Sequence, residues 1–563
     1  MATKPRKKPA PKTPAPLTLK GSKLEDFLPL LPAEEKLRQC AASGEDCIID
    51  DFSGERPEVA TELNTIRSEF LRYMILGGCS HSLIHARGIN LLGAFIKCGK
   101  ALDLEASDIC KDLKLHQCLI NGPLNLSGAN TKNISLKASK TISLVAERIS
   151  INGNLNLDKN FTSLESVRLS SASISGNLLC ENAELLEANN SLIANRAKIS
   201  GDVDLENILA KGTIALTGTE IGGDFTPQGA SLEGTPSLQL RNSKIGGTLV
   251  WRSLKYANGE VDFSGASCAT INTDGDSWMR KRDSYHEKTS KNEPALNDAE
   301  ATEETQTKKI EYNTKLDNFT YGGFSNLPDN CKSEFWIEFL NQQPQDHLEK
   351  NFKPRPWEQL AGVLDSMGYQ EEALELRIEK QKLHTNFMAS HEPAAKNGFN
   401  LWHWGQVFFR KAVWGPLVGY GYKPGNALVV LFGIIMLGTI IYSQAAKRGI
   451  MTPTHPLIFK EARVGGSIPA WCAENWVYFP DENCTSAMPS EYSEFQSFIY
   501  AADVALPVVN LRMEVDWAPR VVFTDGTRDT FGWWVRLYEW FLIAAGWILS
   551  LLFVSAVGSS IRK

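Results

Sequence analysis

A five-residue motif centred on glycine recurs through the N-terminal half of the chain and limits its possible folds more than any other feature. In each copy, glycine and two polar or small residues lie between two apolar residues. The six copies are Ile120–Leu124, Ile151–Leu155, Ile174–Leu178, Ile199–Val203, Ile221–Phe225 and Ile245–Leu249. From Ile151 onward the copies lie 23, 25, 22 and 24 residues apart. Units of this length predict a repeat architecture in which each unit stacks on the next.

The residues around each motif favour strands over helices. Ile, Leu and Val alternate with Ser, Asn and Asp, as in short strands. No unit contains the LxxLxL or helix-forming segment of a leucine-rich repeat. The sequence therefore predicts a parallel β-helix, or β-solenoid, over residues 80–271. We expect the glycines to occupy corners that require a positive φ angle.

The residues before the repeat divide into a tail and a cap. Residues 1–30 are rich in Pro, Ala and Lys, which predicts a disordered basic tail. It is either a solubilising extension or a contact with anionic lipid headgroups. Nucleic acid is an unlikely partner because the net charge is −6. Residues 31–79 are predicted to form a helical cap, in which an amphipathic helix over 62–76 covers the first coil.

A polar stretch and a second helical region follow the repeat. Residues 272–310 contain few apolar positions and predict a disordered linker. Residues 311–400 are predicted to contain a helical hairpin at 354–384, with Gly368 at the turn. Its pattern resembles one tetratricopeptide (TPR) unit. A partner-docking element and an ordinary packed α-hairpin both remain open.

Two long apolar segments indicate a membrane domain at residues 401–563. Residues 427–446 contain no charge, and residues 537–557 contain only Glu539. About 20 apolar residues in a helix cross the hydrocarbon core of a bilayer. The fold class is therefore multidomain, with a β-solenoid, an α-hairpin and a two-helix transmembrane domain.

The predicted topology places both chain ends in the cytoplasm. No apolar segment follows the basic N-terminus, so we expect no secretory signal peptide. The loop 447–533 is then extracytoplasmic. Its two cysteines, Cys472 and Cys484, are predicted to form a disulfide, while the other nine cysteines stay reduced.

Within this loop, residues 493–506 have the spacing of a short helix that ends before Pro507. A short helix between two spans has the order of a potassium-channel pore domain. However, where those channels carry a TVGYG-like filter after the short helix, this sequence has residues 507–511, PVVNL, without a glycine. The candidate pore or constriction residues are Asp503, Pro507, Val508, Val509 and Asn510. The alternative is a helix that lies at the membrane surface.

Motifs for catalysis are missing from the sequence. It contains no GxGxxG segment between a strand and a helix, no HExxH, no GxSxG and no GxxxxGK[ST]. Asp202, Asp204 and Asp224 could gather on one face of the solenoid as paired carboxylates, but such residues are more often turn and surface positions. We therefore expect no cofactor, no metal site and, on balance, no enzyme.

Several segments together resemble an uncharacterised bacterial membrane family whose members often carry the label "membrane-associated oxidoreductase". The matching segments are IRSEFLRYMILGG, the glycine-phased coils, FKPRPWEQLAGVLDSMGYQEEALELRIEKQ, GYGYKP and DVALPVVNL. The resemblance covers nearly the whole chain except the tail and the linker. It implies a multi-pass protein of the bacterial inner membrane and assigns no chemistry to particular residues.

Three functional hypotheses follow from the sequence. The first is a membrane-tethered binding or sensing protein with a cytosolic interaction domain. The second is an oligomeric pore gated by that domain, and the third is a membrane-associated oxidoreductase. The expected partners are the lipid bilayer, further copies of the chain and an unknown cytosolic protein.

Overall fold

Short parallel strands wind into a four-sided solenoid in the N-terminal half of the protein. The computed structural model describes residues 23–77, 84–257, 259–279, 314–327, 331–390, 401–454, 493–522 and 529–561. The chain divides into two units, Met1–Arg377 and Ile378–Lys563. Each full coil of the solenoid places one strand in each of four sheets.

The four sheets run along the length of the solenoid, and most of their strands are two residues long. Sheet 1 contains Cys47–Ile48, Ile89–Leu92, Leu113–His116, Ile134–Ser135, Leu155–Asn156, Leu178–Leu179, Val203–Asp204, Phe225–Thr226, Thr248–Trp251, Thr270–Thr273 and Phe324–Ser325. Sheet 2 contains Thr65–Arg67, Phe95–Lys97, Leu119–Ile120, Lys140–Thr141, Thr162–Ser163, Glu184–Leu185, Leu209–Ala210, Ser231–Leu232 and Tyr256–Ala257.

The other two sheets complete each coil. Sheet 3 contains Leu102–Asp103, Leu124–Asn125, Leu144–Val145, Val167–Arg168, Asn190–Ile193, Thr213–Ala215, Leu238–Gln239, Val261–Asp262 and Thr314–Lys315. Sheet 4 contains Asp108–Ile109, Asn130–Thr131, Ser150–Ile151, Ser173–Ile174, Lys198–Ile199, Glu220–Ile221, Lys244–Ile245, Ser267–Cys268 and Thr320–Tyr321.

Equivalent apolar residues of successive coils stack inside the solenoid. In sheet 1 the register aligns Ile134 with Leu155, and Leu155 with Leu178. These side chains are fully enclosed or nearly so. Burial of one such side chain stabilises the fold by about 1.5–3 kcal/mol. A shift of the register by one residue would lose this burial, so each short strand keeps its pairing. The prediction of a parallel β-solenoid followed by helices is confirmed, with about eight turns.

The solenoid extends beyond the predicted limits of 80–271. Its first strands, Cys47–Ile48 and Thr65–Arg67, lie in the segment that we expected to be a helical cap. Its last strands lie at Thr314–Ser325, after the predicted linker. Strands of two or three residues contain too few alternating positions to be recognised from the sequence alone. In the structure they are defined by their pairing with the adjacent coil. Residues 280–313 lie outside the described residues.

The motif glycines do not occupy positive-φ corners, which corrects the expectation from the sequence. Positive φ angles fall instead at two other corners of the coil, at residues such as Arg148 and Asn182. Glycine is required because atoms of the preceding coil lie too close to leave room for a side chain. A Cβ atom on Gly176 or Gly201 would lie less than 3.0 Å from the Asn side chain of the preceding coil.

That Asn side chain belongs to a ladder of hydrogen bonds along the corner between sheets 4 and 1. The Oδ1 atom of Asn154 accepts from the Asn177 amide at 2.8 Å, and Asn177 Oδ1 accepts from the Asp202 amide at 2.9 Å. Asn133, Asp202 and Asp224 make the same contact with the next coil. In four consecutive coils the polar residue after the motif glycine, at positions 154, 177, 202 and 224, therefore accepts from a backbone amide of the next coil. The first copy of the motif, Ile120–Leu124, lies instead at the corner between sheets 2 and 3.

Helices cover the first coil. Helix α1, Pro32–Ser43, and helix α2, Ser68–Ile75, lie at this end. The predicted helix over 62–76 begins later, because Thr65–Arg67 pairs with Phe95–Lys97 as a strand. The buried Glu34 carboxylate accepts hydrogen bonds from the Arg67 amide at 3.0 Å and from its Nε at 2.8 Å, which fixes α1 to the first coil.

Aromatic residues and further helices cover the last coil. Trp278 stacks against Trp251 and Phe263, with ring centroids 5.3 and 5.7 Å apart, and meets Phe339 at 4.7 Å. The first unit contains helices α3 to α6 after this coil, at Asp276–Met279, Ser333–Asn341, Gln345–Leu348 and Arg355–Ser366, and helix α7, Gln370–Ser390, continues into the second unit. Helices α6 and α7 form the predicted hairpin, with Gly368 at φ +93°. As a single helix pair, they give no support for the tetratricopeptide resemblance.

The second unit is built around two apolar helices. Helix α10, Gly425–Lys447, and helix α13, Thr530–Ile561, are long and apolar enough to cross a membrane. Before α10 lie helix α8, Leu401–Phe408, a π-helical turn, Phe409–Trp414, and helix α9, Gly415–Val418. Between α10 and α13 lie helices α11, Ser497–Ala505, and α12, Met513–Asp516, with the paired strands Met451–Pro453 and Trp517–Pro519.

Candidate functional site

Helix α11 packs between the two candidate spans, at the middle of both. Gly438 of α10 faces Ala501, so that a Cβ on this glycine would lie 3.3 Å from the Ala501 Cβ. Gly546 of α13 faces the Ala505 carbonyl so closely that the backbone leaves no room for a Cβ. Two glycines in long helices thus provide the surface on which the short helix rests, as small residues do in membrane helix packing.

The chain turns back after α11 instead of continuing across. Asp503 is buried, and its Oδ1 atom accepts a hydrogen bond from the Leu511 amide at 2.6 Å. Its Oδ2 atom accepts from the Glu514 amide at 2.8 Å. One carboxylate therefore ties the returning segment to the helix that precedes it, and α11 with residues 506–516 forms a hairpin.

The open end of this hairpin lies where α10 ends and α13 begins. Ser493 Oγ donates to Asp516 at 2.9 Å, and Trp517 Nε1 donates to the Ser493 carbonyl at 3.0 Å. The strand Trp517–Pro519 pairs with Met451–Pro453, which follows α10. The Arg448 guanidinium stacks over the Phe531 ring at 4.3 Å, close to the start of α13. The first and last residues of the hairpin are therefore held close to the C-terminal end of α10 and the N-terminal end of α13.

The structure assigns different positions to the predicted pore residues. Asp503 is enclosed and engaged by two backbone amides, so it holds the hairpin closed. Pro507, Val508, Val509 and Asn510 form the tip of the hairpin. Val508 is 90% exposed, and the Asn510 side chain accepts from the Arg512 amide at 2.9 Å. Cys472 and Cys484 lie outside the described residues, so their disulfide stays a prediction.

Sequence reasoning missed the polar groups around α11. Glu539 is buried and accepts hydrogen bonds from Arg536 Nη1 at 3.3 and 3.1 Å. The Tyr500 hydroxyl faces the same carboxylate. Tyr442 packs edge-on against Tyr500, with ring centroids 4.7 Å apart. A single Glu in an otherwise apolar stretch was the available signal, since an ionisable group inside a span needs a partner.

We expect Asp503→Asn to loosen the hairpin. An amide side chain has one oxygen, so it accepts only one of the two backbone hydrogen bonds and turns an N–H towards the other donor. The free energy that holds the hairpin should fall by about 1–3 kcal/mol. Hydrogen exchange of residues 506–514 in lipid nanodiscs should rise accordingly. Asp516→Asn is the control, because Asn still accepts the Ser493 hydroxyl; equal exchange in both variants would contradict the assignment.

The structure gives the three solenoid carboxylates different positions. Asp202 and Asp224 accept amide hydrogen bonds in the corner ladder. Asp204 lies on sheet 1, where burial raises the pKa of its carboxyl. Among the described residues no group of three or more His, Cys, Asp or Glu side chains could hold a metal ion. Burial also raises the pKa of the thiols of Cys118 and Cys268 to about 12, which keeps them protonated and unreactive.

A groove of about 390 Å³ lies on the outer face of sheet 2. The segment before strand Thr65–Arg67 forms one wall, and Arg56 fixes it to the solenoid by donating to the Ala138 carbonyl at 3.3 Å and to Thr162 Oγ1 at 3.4 Å. Val59 is 70% exposed and Leu164 is 42% exposed. The lining residues are Glu58, Val59, Ala60, Phe95, Leu119, Ile120, Asn121, Lys140, Thr141, Ile142 and Leu164.

This groove offers apolar side chains together with Glu58 and Lys140, which carry opposite charges. It contains no described nucleophile paired with a base and no metal-binding group. Its chemistry suits recognition of an apolar side chain on a polar backbone. Comparisons with known proteins do not identify the chain further: no family model, no curated protein and no solved structure matches it, so they give no support for the resemblance to the uncharacterised membrane family.

Proposed function

We propose that this protein is a membrane-anchored binding protein. Helices α10 and α13 hold it in the bilayer, and the solenoid presents a recognition surface on the cytoplasmic side. This proposal rests mainly on the groove on sheet 2. Arg56 attaches the segment before strand Thr65–Arg67 to the solenoid by two hydrogen bonds, and apolar side chains stay exposed between this segment and the sheet. Exposed apolar surface that is bordered by charge is typical of a protein-interaction site.

The proposed ligand is an extended segment of a cytosolic protein with at least one apolar side chain. The two-residue strands of sheet 2 pair with strands on both sides along most of the solenoid, so their backbone groups are already satisfied. A ligand therefore gains affinity from side-chain contacts with Val59, Ile142 and Leu164, not from addition of a strand. Glu58 and Lys140 would then select the charges that flank the apolar residue.

Photo-crosslinking tests this proposal. p-Benzoylphenylalanine at position 164 should give an adduct with one defined protein in intact cells. Val59→Asp should reduce the adduct about tenfold or more, because a charge in the groove loses about 1.4 kcal/mol or more of apolar contact. The same probe at Lys198, whose side chain on sheet 4 is 69% exposed, is the control. Equal adducts at both positions, or no effect of Val59→Asp, would remove the groove as the binding site.

The membrane anchor is tested separately. The full chain should stay with the membrane after carbonate extraction, and a chain that ends at Ser390 should be released. Two apolar helices of this length give effectively irreversible insertion. Release of the full chain by carbonate would contradict the anchor.

A second candidate function, a pore, is favoured by one observation: the hairpin of α11 and residues 506–516 enters between the two long helices and leaves on the same side. Two-helix channels use this order. Purified protein in a planar bilayer should then conduct ions. Absence of conductance over a range of voltages, together with a monomeric mass, would remove this candidate and leave the anchored binding protein.

A further inference from the structure

The tip of the hairpin lies near the middle of the two candidate spans. The Ala505 carbonyl contacts Gly546, which is close to the centre of the apolar stretch 537–557. Asp503 is two residues earlier in α11, about 3 Å along the helix axis. The amides of Leu511 and Glu514 both donate to this carboxylate, so the backbone between them has the same depth. Arg512 is in that segment.

This part of the chain is not suited to contact with lipid. Residues 506–512 are outside helices and strands, and Asn510 and Arg512 are exposed. Irregular backbone is tolerated in the hydrocarbon region only where protein covers it or where it lines a water-filled space. An exposed guanidinium at this depth is also costly in lipid. The described residues of the chain leave this surface uncovered.

The uncovered surface carries charges of both signs. Arg512 and Glu514 are exposed neighbours on the returning segment, and neither forms an ion pair with a described residue. Asp503, which is engaged by two amides, and Glu539, which is paired with Arg536, are the other charged groups beside them. A patch with one free cation and one exposed anion is complementary to a second copy of itself.

We propose that the hairpin tip, residues 507–514, is an interface between copies of this chain in the membrane. Arg512 of one copy pairs with Glu514 of its neighbour, and the copies together shield the irregular backbone from lipid. The proposal rests on the membrane anchoring proposed above. It does not require that the assembly conducts ions.

Photo-crosslinking between two tagged copies tests this interface. The full chain is expressed with two different tags, and p-benzoylphenylalanine replaces Val508. We expect an adduct that carries both tags. The same probe at Leu437, an exposed residue of α10 next to Gly438, should react mainly with lipid, at least fivefold less with a second copy.

Charge reversal provides the decisive comparison. Arg512→Glu should reduce the adduct at position 508 at least fivefold, and the double variant Arg512→Glu with Glu514→Arg should restore it to within about twofold. Recovery in the double variant also shows that the membrane unit still folds. The interface is overturned if position 508 reacts only with lipid or with a different protein, or if the double variant does not recover. A failure of the anchor is distinguishable, because Leu437 would then give no lipid adduct.

Discussion

Replacement of Gly201 by valine is expected to destabilise the solenoid by about 2–4 kcal/mol. The new side chain meets Asn177 Oδ1 and the Gly176 carbonyl, which lie against the Gly201 Cα in the native coil. Overpacking alone costs about 1–3 kcal/mol. Displacement of Asn177 also removes its hydrogen bond to the exposed Asp202 amide, which adds about 0.5–1.5 kcal/mol.

Hydrogen exchange of the strands Leu178–Leu179 and Val203–Asp204 measures this effect, since a loss of 1.4 kcal/mol raises exchange tenfold. Gly362→Ala is the control in the same unit, because a Cβ there has open space around it and is expected to stabilise helix α6 slightly. The double variant Asn177→Ala with Gly201→Ala should cost less than the sum of its parts, because the first change removes the obstructing atom. If the two losses of stability simply added, the contact with the Asn177 side chain would not be the reason why position 201 requires glycine.

Replacement of Gly546 by leucine is expected to displace α11 from its place between α10 and α13. The native approach of the Ala505 carbonyl to this glycine leaves no room for a Cβ, and the obstructing atom belongs to backbone that cannot rotate away. The hairpin must therefore move as a unit. We expect a loss of about 3 kcal/mol or more of packing free energy, since overpacking and lost contacts add.

Exchange of residues 497–512 in nanodiscs should rise by about two orders of magnitude in this variant, as 3 kcal/mol implies. Gly433→Leu is the matched control, because it introduces the same side chain in α10 at a position with open space around it. Similar exchange in both variants would mean that α11 does not depend on the contact with Gly546.

The glycine-phased motif shows which features of the solenoid a sequence pattern can predict. Its period predicted coils of the right size, because a repeat that must stack on itself keeps its length. The reason for its glycines was predicted wrongly. Whether a glycine serves a positive φ or a close approach depends on which side chain the neighbouring coil places against it, and only the stacked structure brings Asn154 to Gly176.

The hairpin between α10 and α13 shows the same division. The sequence indicated a short helix before Pro507 and drew attention to Asp503, because a helical period and a proline are local signals. It assigned Asp503 to a constriction. In the structure this carboxylate accepts hydrogen bonds from the amides of Leu511 and Glu514, which are eight and eleven residues away. A local sequence pattern does not predict such a contact.

By itself, the sequence determined that the chain contains a stacked β-repeat and two helices long and apolar enough to span a membrane, because hydrophobic period and segment length are properties of the chain alone. Tertiary structure decided the limits of the solenoid, the use of its glycines and the position of the hairpin between α10 and α13. Each of these depends on contacts between residues far apart in sequence, such as Ala505 with Gly546, which form only when the elements pack together.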